Sequence, residues 1–239
     1  LVAPRAATQP APDAARASLI AKHTSATPRG TWCSPPPPCD SVWRGWKERR
    51  DWRGSKRRAA RRLAIDVCSG CGGLALGARL EGYEHVLLVD HNKTCTDTLK
   101  ANGFDKAITA RVQDVQWRDH VPKDMRIALL TAGPPCQPWS IGGVDEGAKD
   151  DRNLWYEMVR AVSELQPDHF LFEMVEGFLR PKFAVFVEEL IAQLTELGYE
   201  VTVSHVNASD VGLAQDRKRC LFMGHRSTGT GEVTPPERR

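Results

Sequence analysis

From residue 63 onward the chain alternates apolar runs of strand length with stretches of helical period, and that alternation leaves few folds open. Residues 63–68 and 85–90 read as strands on either side of a predicted helix over 74–80, and a second helix over 94–102 closes at Gly103. Further strands are predicted over 126–131, 169–173, 199–206 and 220–223. Helices are predicted over 153–165, ending before Pro167, and over 183–197, ended by Gly198. Parallel neighbours need crossover helices. The reading is therefore an α/β fold, an open, largely parallel, Rossmann-like sheet with helices on both faces and ligands at the carboxyl ends of its strands.

The 239 residues allow one domain plus an appendage, and charge marks where the appendage ends. Residues 1–62 carry a net charge of +10 and half of the 16 prolines, with no sustained period; the rest of the chain carries −7. We expect a largely disordered basic arm over 1–62, a catalytic body over 63–226 and a polar tail over 227–239. The arm's end mixes Trp46 and Trp52 with arginine and lysine, as a nucleic-acid-binding or nuclear-import segment would, which makes a nuclear, intracellular location the expectation. A solvated linker and an organellar targeting peptide are the other readings. No apolar run approaches the roughly 18 residues of a membrane-spanning helix. Seven cysteines, an odd number scattered through a chain with apolar residues enough for a core, point to a reducing compartment.

The first chemical signal follows the first predicted strand. Gly70, Gly72 and Ala75 match the spacing of a turn that brings backbone close to a nucleotide ligand, and Asp90, 20 residues beyond Gly70, ends the second strand where ribose hydroxyls would bind. This pattern fits a dinucleotide and S-adenosylmethionine equally well. Cys68 and Cys71 have the spacing of a metal or redox pair, but no second such pair exists, so no metal is expected. The second signal is Cys136, between Pro135 and Gln137 after the predicted strand over 126–131, in a segment whose prolines exclude helix and sheet.

Together these segments resemble the DNA cytosine-5 methyltransferase family. Its motifs stand here, in the family's order, as Asp66 with Ser69, Gly70, Cys71, Gly72 and Gly73; Pro135, Cys136 and Gln137; Glu173, Met174 and Val175; and Gln215, Arg217 and Arg219. The resemblance covers residues 63–226 and implies a Rossmann-like S-adenosylmethionine-dependent methyltransferase sheet. It implies that the Cys136 thiolate adds to carbon 6 of a flipped-out cytosine, because carbon 5 alone is a poor nucleophile. It gives Glu173 the N3 edge of the base, Arg219 the O2 edge, and Arg217 the loop or DNA backbone. Cofactor-binding residues by the same resemblance are Asp66, Cys68, Ser69, Gly70, Gly72, Gly73, Leu74, Asp90, His91, Asp114, Val115, Pro134 and Leu154. Gln137, Ser140 and Gln215 would contact the substrate. DNA is the implied partner.

Four positions depart from the family's pattern: Cys68 stands for an aromatic beside the adenine, His91 for tryptophan, Met174 for asparagine and Ala214 for proline. After Arg226 only 13 residues remain, where family members continue into a target-recognition domain and a final helix, and the first residue is Leu1. The expectation is an incomplete catalytic portion of a longer enzyme. A transfer-RNA cytosine methyltransferase of the same family, a catalytically inactive partner and a nicotinamide-dependent oxidoreductase are the alternatives.

Overall fold

In the computed structural model, residues 61–135 and 153–226 are described. In chain order they form β1 (Arg62–Val67), α1 (Gly73–Leu80), β2 (Tyr83–Asp90), α2 (Lys93–Ala101), β3 (Ala107–Thr109), a 3-10 turn (Val112–Asp114), α3 (Trp117–His120), β4 (Leu129–Ala132), α4 (Trp155–Leu165), β5 (His169–Val175), α5 (Ala184–Glu196), β6 (Tyr199–Asn207) and β7 (Lys218–Arg226). Seven strands make one sheet in the order β3-β2-β1-β4-β5-β7-β6. The pairs from β3 through β5 are parallel, and β7 runs antiparallel to both β5 and β6.

The pleat divides the apolar residues between two faces. Ile65 and Val67 of β1 and Leu87 and Val89 of β2 join a cluster with Met158 and Val162 of α4 and Leu190 of α5. Leu88, between two of those, faces the other way and packs with Ala75 of α1, Leu99 of α2, Phe104 and Ala107. On β5 the same alternation buries Phe170, Phe172 and Met174. Trp155 anchors the larger cluster: its ring stacks on Phe178 at 4.8 Å and meets Phe222 edge-on at 5.0 Å. Burial of each such side chain contributes roughly 1.5–3 kcal/mol.

The elements expected from the sequence are present with shifted ends. β1 begins at Arg62, inside the span assigned to the basic arm, because Arg62 pairs with Tyr83 of β2 and its guanidinium lies 3.9 Å over that ring. The predicted strand over 126–131 starts only at Leu129; Arg126 instead meets the Asp168 carboxylate through Nε at 2.9 Å. β3, the 3-10 turn and α3 have no counterpart in the sequence reading, being too short to show a period. β7 extends well past 220–223 at both ends, since pairing on both sides satisfies its backbone whatever its side chains are. The arm assigned to 1–62, apart from Arg61 and Arg62, and the tail assigned to 227–239 lie outside the described residues.

Gly224 shows how tightly β7 fits. It is opposite Phe170 in the register, and a Cβ built on it would lie 2.1 Å from Phe170 Cε1. The ring covers the glycine. Gly224→Ala should lower the unfolding free energy by about 1–3 kcal/mol through this overpacking, as read from urea denaturation. An unchanged midpoint would show that the Phe170 ring does not occupy that space.

Candidate active site

The site is built where β1, β2, β4 and β5 end. β1 leaves the sheet through Cys68, a non-glycine residue at φ 54°, followed by the tight turn to α1. In that turn Ser69 N donates to Val89 O at 3.1 Å and Gly70 N to Asp90 Oδ2 at 2.8 Å. The other oxygen of Asp90 accepts from Asn92 N at 2.8 Å. One buried carboxylate thus ties together the two loops that follow β1 and β2. Gly72 sits at φ 89°, and a Cβ there would fall 2.6 Å from Leu99 Cδ2 of α2, so only glycine allows this approach.

Beneath the turn lies a second acid. Asp66 is fully buried, Thr131 donates to its Oδ1, its Oδ2 has no partner among the described residues, and Ser69 Oγ donates to its backbone oxygen at 3.0 Å. Burial raises its pKa to about 6, outweighing the hydrogen bonds that act in the other direction. The Cys68 thiol is pushed up to about 12 by burial, with the Asp90 and Asp66 charges adding to it, so it stays protonated at neutral pH.

The second half of the site comes from the antiparallel end of the sheet. Glu173 of β5 is on the face opposite to the buried Phe172 and Met174, and Arg219 of β7, in register with Val175, brings Nε to 2.5 Å from Glu173 Oε1. Arg217 approaches the same oxygen at 4.0 Å. Its backbone is fixed by Asn207: Arg217 N donates to Asn207 Oδ1 at 2.9 Å, and Asn207 Nδ2 donates to Asp216 Oδ1 at 2.7 Å.

The two halves share one cavity of about 560 Å³. Of the residues expected from the sequence, its wall includes Cys68, Asp90, His91, Pro134, Leu154, Glu173, Arg217 and Arg219. Ser69, Gly70, Gly72, Gly73 and Leu74 form the turn and the start of α1 behind Cys68, and Asp66 lies buried below. Asp114 is exposed, Val115 is buried and Gln215 is on the exposed segment before β7; none of the three is on the cavity wall. Met174 is fully buried in the apolar cluster, and its carbonyl meets Cys220 Sγ at 3.5 Å. Cys136, Gln137 and Ser140 lie outside the described residues, but the chain leading to Cys136 does not: Gly133, Pro134 and Pro135 all line the cavity. Sequence reasoning gave no site role to Arg111, Val112, Gln113, Gly133, Pro135 and Val175, all on the wall. The first three follow β3, a strand too short to recognise, while Val175 could have been inferred from its place two residues beyond Glu173. Among the described residues no group of three or more histidines, cysteines or acids could hold a metal ion.

Comparison with known proteins completes the description. The family model described as C-5 cytosine-specific DNA methylase matches residues 63–237. The Type II methyltransferase M.FnuDI of Fusobacterium nucleatum is 36% identical over 163 residues, covering 68% of this chain and 46% of the relative. M.NgoPII of Neisseria gonorrhoeae is 36% identical over 164 residues, covering 68% and 47%. The chain therefore spans about half the length of these curated relatives. Among solved structures, a prophage-encoded protein of E. coli described as a DNA modification methyltransferase superposes with a TM-score of 0.62 at 28% identity, covering 72% of this chain and 49% of that one. The Entamoeba histolytica methyltransferase EhMeth shares the fold with a TM-score of 0.60 at 16% identity, over 76% and 58% of the two chains.

Asp66 makes the stability of the site depend on pH. With its pKa raised from 3.8 unfolded to about 6 folded, the native state binds the proton more tightly, so this contribution is complete below about pH 4 and is lost as pH rises to about 6. Asp66→Asn removes that loss. Relative to the native chain, the variant should gain roughly 3 kcal/mol across that window in denaturation curves. Half-buried His85, whose pKa is lowered to about 4 by desolvation, works in the opposite direction but cancels in the comparison. A constant difference between the two proteins would mean that Asp66 titrates normally.

Proposed function

The chain belongs to the C-5 cytosine-specific DNA methylase family, and on that premise we propose that its residues transfer a methyl group from S-adenosylmethionine to carbon 5 of cytosine in DNA. The observation that carries the reading is the single cavity lined both by Asp90 behind the glycine turn and by the Glu173, Arg217 and Arg219 cluster. Cofactor and base would meet in it. Its volume is within the range of small-molecule sites, about 300–1,000 Å³.

The residues present fit the cofactor. Asp90 lines the cavity while each of its oxygens accepts one backbone N–H, which leaves lone pairs for ribose hydroxyls. Leu154 and Val112 offer apolar surface, and His91 stands where the family places tryptophan. When bound, S-adenosylmethionine supplies an electrophilic methyl group.

The chain's own side chains supply the rest. Cys136, three residues beyond Gly133 and directly after Pro135, would add as thiolate to carbon 6 of the base. Free cysteine is only a few per cent thiolate at neutral pH, so a cationic setting for Cys136 would favour the reactive form. Glu173 would hold the N3 edge and stabilise the protonated adduct, and Arg219 would hold the O2 edge. Before a base arrives these two neutralise each other at 2.5 Å, so the base must take over a hydrogen bond from each. Once carbon 5 has taken the methyl group, leaving S-adenosylhomocysteine, its proton would pass to solvent, and β-elimination would break the carbon 6–sulfur bond, return the electron pair to Cys136 and release 5-methylcytosine. Extruding the base from the duplex costs a few kcal/mol. Phosphate contacts would come from the basic residues of the arm, because the body is acidic. The nuclear location expected from that arm has no support in the curated relatives compared, which come from bacteria.

Two measurements test this reading. On DNA carrying 5-fluorocytosine, where the carbon 5 proton cannot leave, the enzyme should be trapped as a covalent adduct, and Cys136→Ser should abolish trapping. Undiminished trapping by the serine variant would reject Cys136 as nucleophile. Asp90→Ala should weaken S-adenosylhomocysteine binding by about 1–3 kcal/mol in calorimetry, and NADH should not compete. Unchanged affinity in the variant would leave Asp90 with only its loop-tying role.

A further inference from the structure

One wall of the cavity has little local support. Arg111, Val112 and Gln113 line it, yet they belong to neither a long helix nor the sheet, only to the three-residue 3-10 turn Val112–Asp114 and the Arg111 that precedes it. Two backbone hydrogen bonds close that turn: Asp114 N to Arg111 O at 3.0 Å and Val115 N to Val112 O at 3.2 Å. An isolated turn of this size does not hold its shape in water.

Arg160, more than 40 residues further along on α4, reaches back to it. Its Nη2 donates to Val112 O at 2.8 Å and its Nη1 to Val115 O at 3.1 Å, so the guanidinium bridges both ends of the turn. The guanidinium is itself held from both sides along α4. Nε donates to Glu157 Oε2 at 2.7 Å, three residues before, and Nη1 to Glu164 Oε1 at 3.0 Å, four residues after. Its carbon lies 5.7 Å over the ring of Trp117, which is fully buried just beyond the turn. Two acids on one helix and a planar fork between them form a preset bridge to two carbonyls. A lysine, with one point charge on a flexible stem, could not span them while meeting both acids.

We propose that Arg160 is a positioning residue for the cofactor site: the Glu157–Arg160–Glu164 set fixes the turn 112–114 so that Arg111, Val112 and Gln113 present a preformed wall to the ligand. The proposal rests on the reading of the cavity as the S-adenosylmethionine site. Glu157, Arg160 and Glu164 are themselves absent from the cavity wall, so their effect on the ligand is indirect.

The test uses the full chain and two readouts. Hydrogen exchange of the amides of residues 112–117 reports the turn with no ligand present, and calorimetry with S-adenosylhomocysteine reports the site. Arg160→Met should speed exchange in that segment while leaving the strands protected, and should weaken S-adenosylhomocysteine binding by about tenfold, the equivalent of one charged hydrogen bond. Arg160→Lys should behave like the methionine variant. Restoration of both readouts by lysine would show that only a charge on α4 matters and would overturn the bridge. The double variant Glu157→Gln with Glu164→Gln keeps Arg160 and should move both readouts the same way by less, so the idea stays testable if the methionine variant unfolds. Unchanged exchange in 112–117, or faster exchange with undiminished affinity, would also overturn it. A native chain that binds no S-adenosylhomocysteine would overturn the reading of the cavity instead, and exchange alone would then decide whether Arg160 holds the turn.

Discussion

The Asp90 carboxylate is the point on which the site depends. Its two oxygens accept Gly70 N and Asn92 N, both at 2.8 Å, and so lock the loops after β1 and β2 to each other at the carboxyl edge of the sheet. Backbone donors are well matched to this task because they cannot rotate away, and a carboxylate has lone pairs enough to serve both loops and a ligand. Without the lock, the left-handed Cys68 and the close packing of Gly72 on Leu99 would have to be held by the turn alone. Strain at Cys68 is tolerable because Ser69, Gly70 and Asp90 over-determine the path of the chain around it.

The other half of the site follows from a single reversal of direction. β7 enters the sheet antiparallel between β5 and β6, which brings Arg219 beside Val175 and within reach of Glu173 at the edge where the parallel strands end. Had β7 run parallel, residues at its start would lie at the opposite edge. The pair is partly exposed, with roughly a quarter of each side chain open to solvent, so it adds little to stability. Such a pair can separate to meet a ligand at small cost. Beneath them, Met174 packs in the apolar cluster instead of offering an amide to its surroundings.

Much of this was legible in the chain because it depends on short-range chemistry. Strand and helix periods revealed most of the elements, and the glycine spacing with Asp90 marked the first half of the site. Where periods fail, the reading fails too. β3, with three residues, was invisible, and with it the turn that supplies Arg111, Val112 and Gln113 to the wall. The extension of β7 to Lys218 and Arg226 was hidden because its ends are polar and are held by backbone pairing on both sides, which leaves no trace in side-chain pattern.

The sequence by itself determined the α/β alternation, the glycine turn, the position of Cys136 after a strand, and the order of motifs that ties the chain to its family. Each is a statement about neighbours in the chain, where spacing converts directly into geometry. Only the tertiary structure decided that Asp90 holds two loops at once, that Asp66 is buried with one oxygen unpartnered among the described residues, that Glu173 already has Arg219 as its partner, and that Arg160 reaches back to the turn at Val112. Those contacts join residues from 2 to nearly 50 positions apart, and the distant ones exist only because strand order and direction place their elements side by side. Spacing in the chain carries no record of that order, since it is set by how the whole apolar core is shared between the two faces of the sheet.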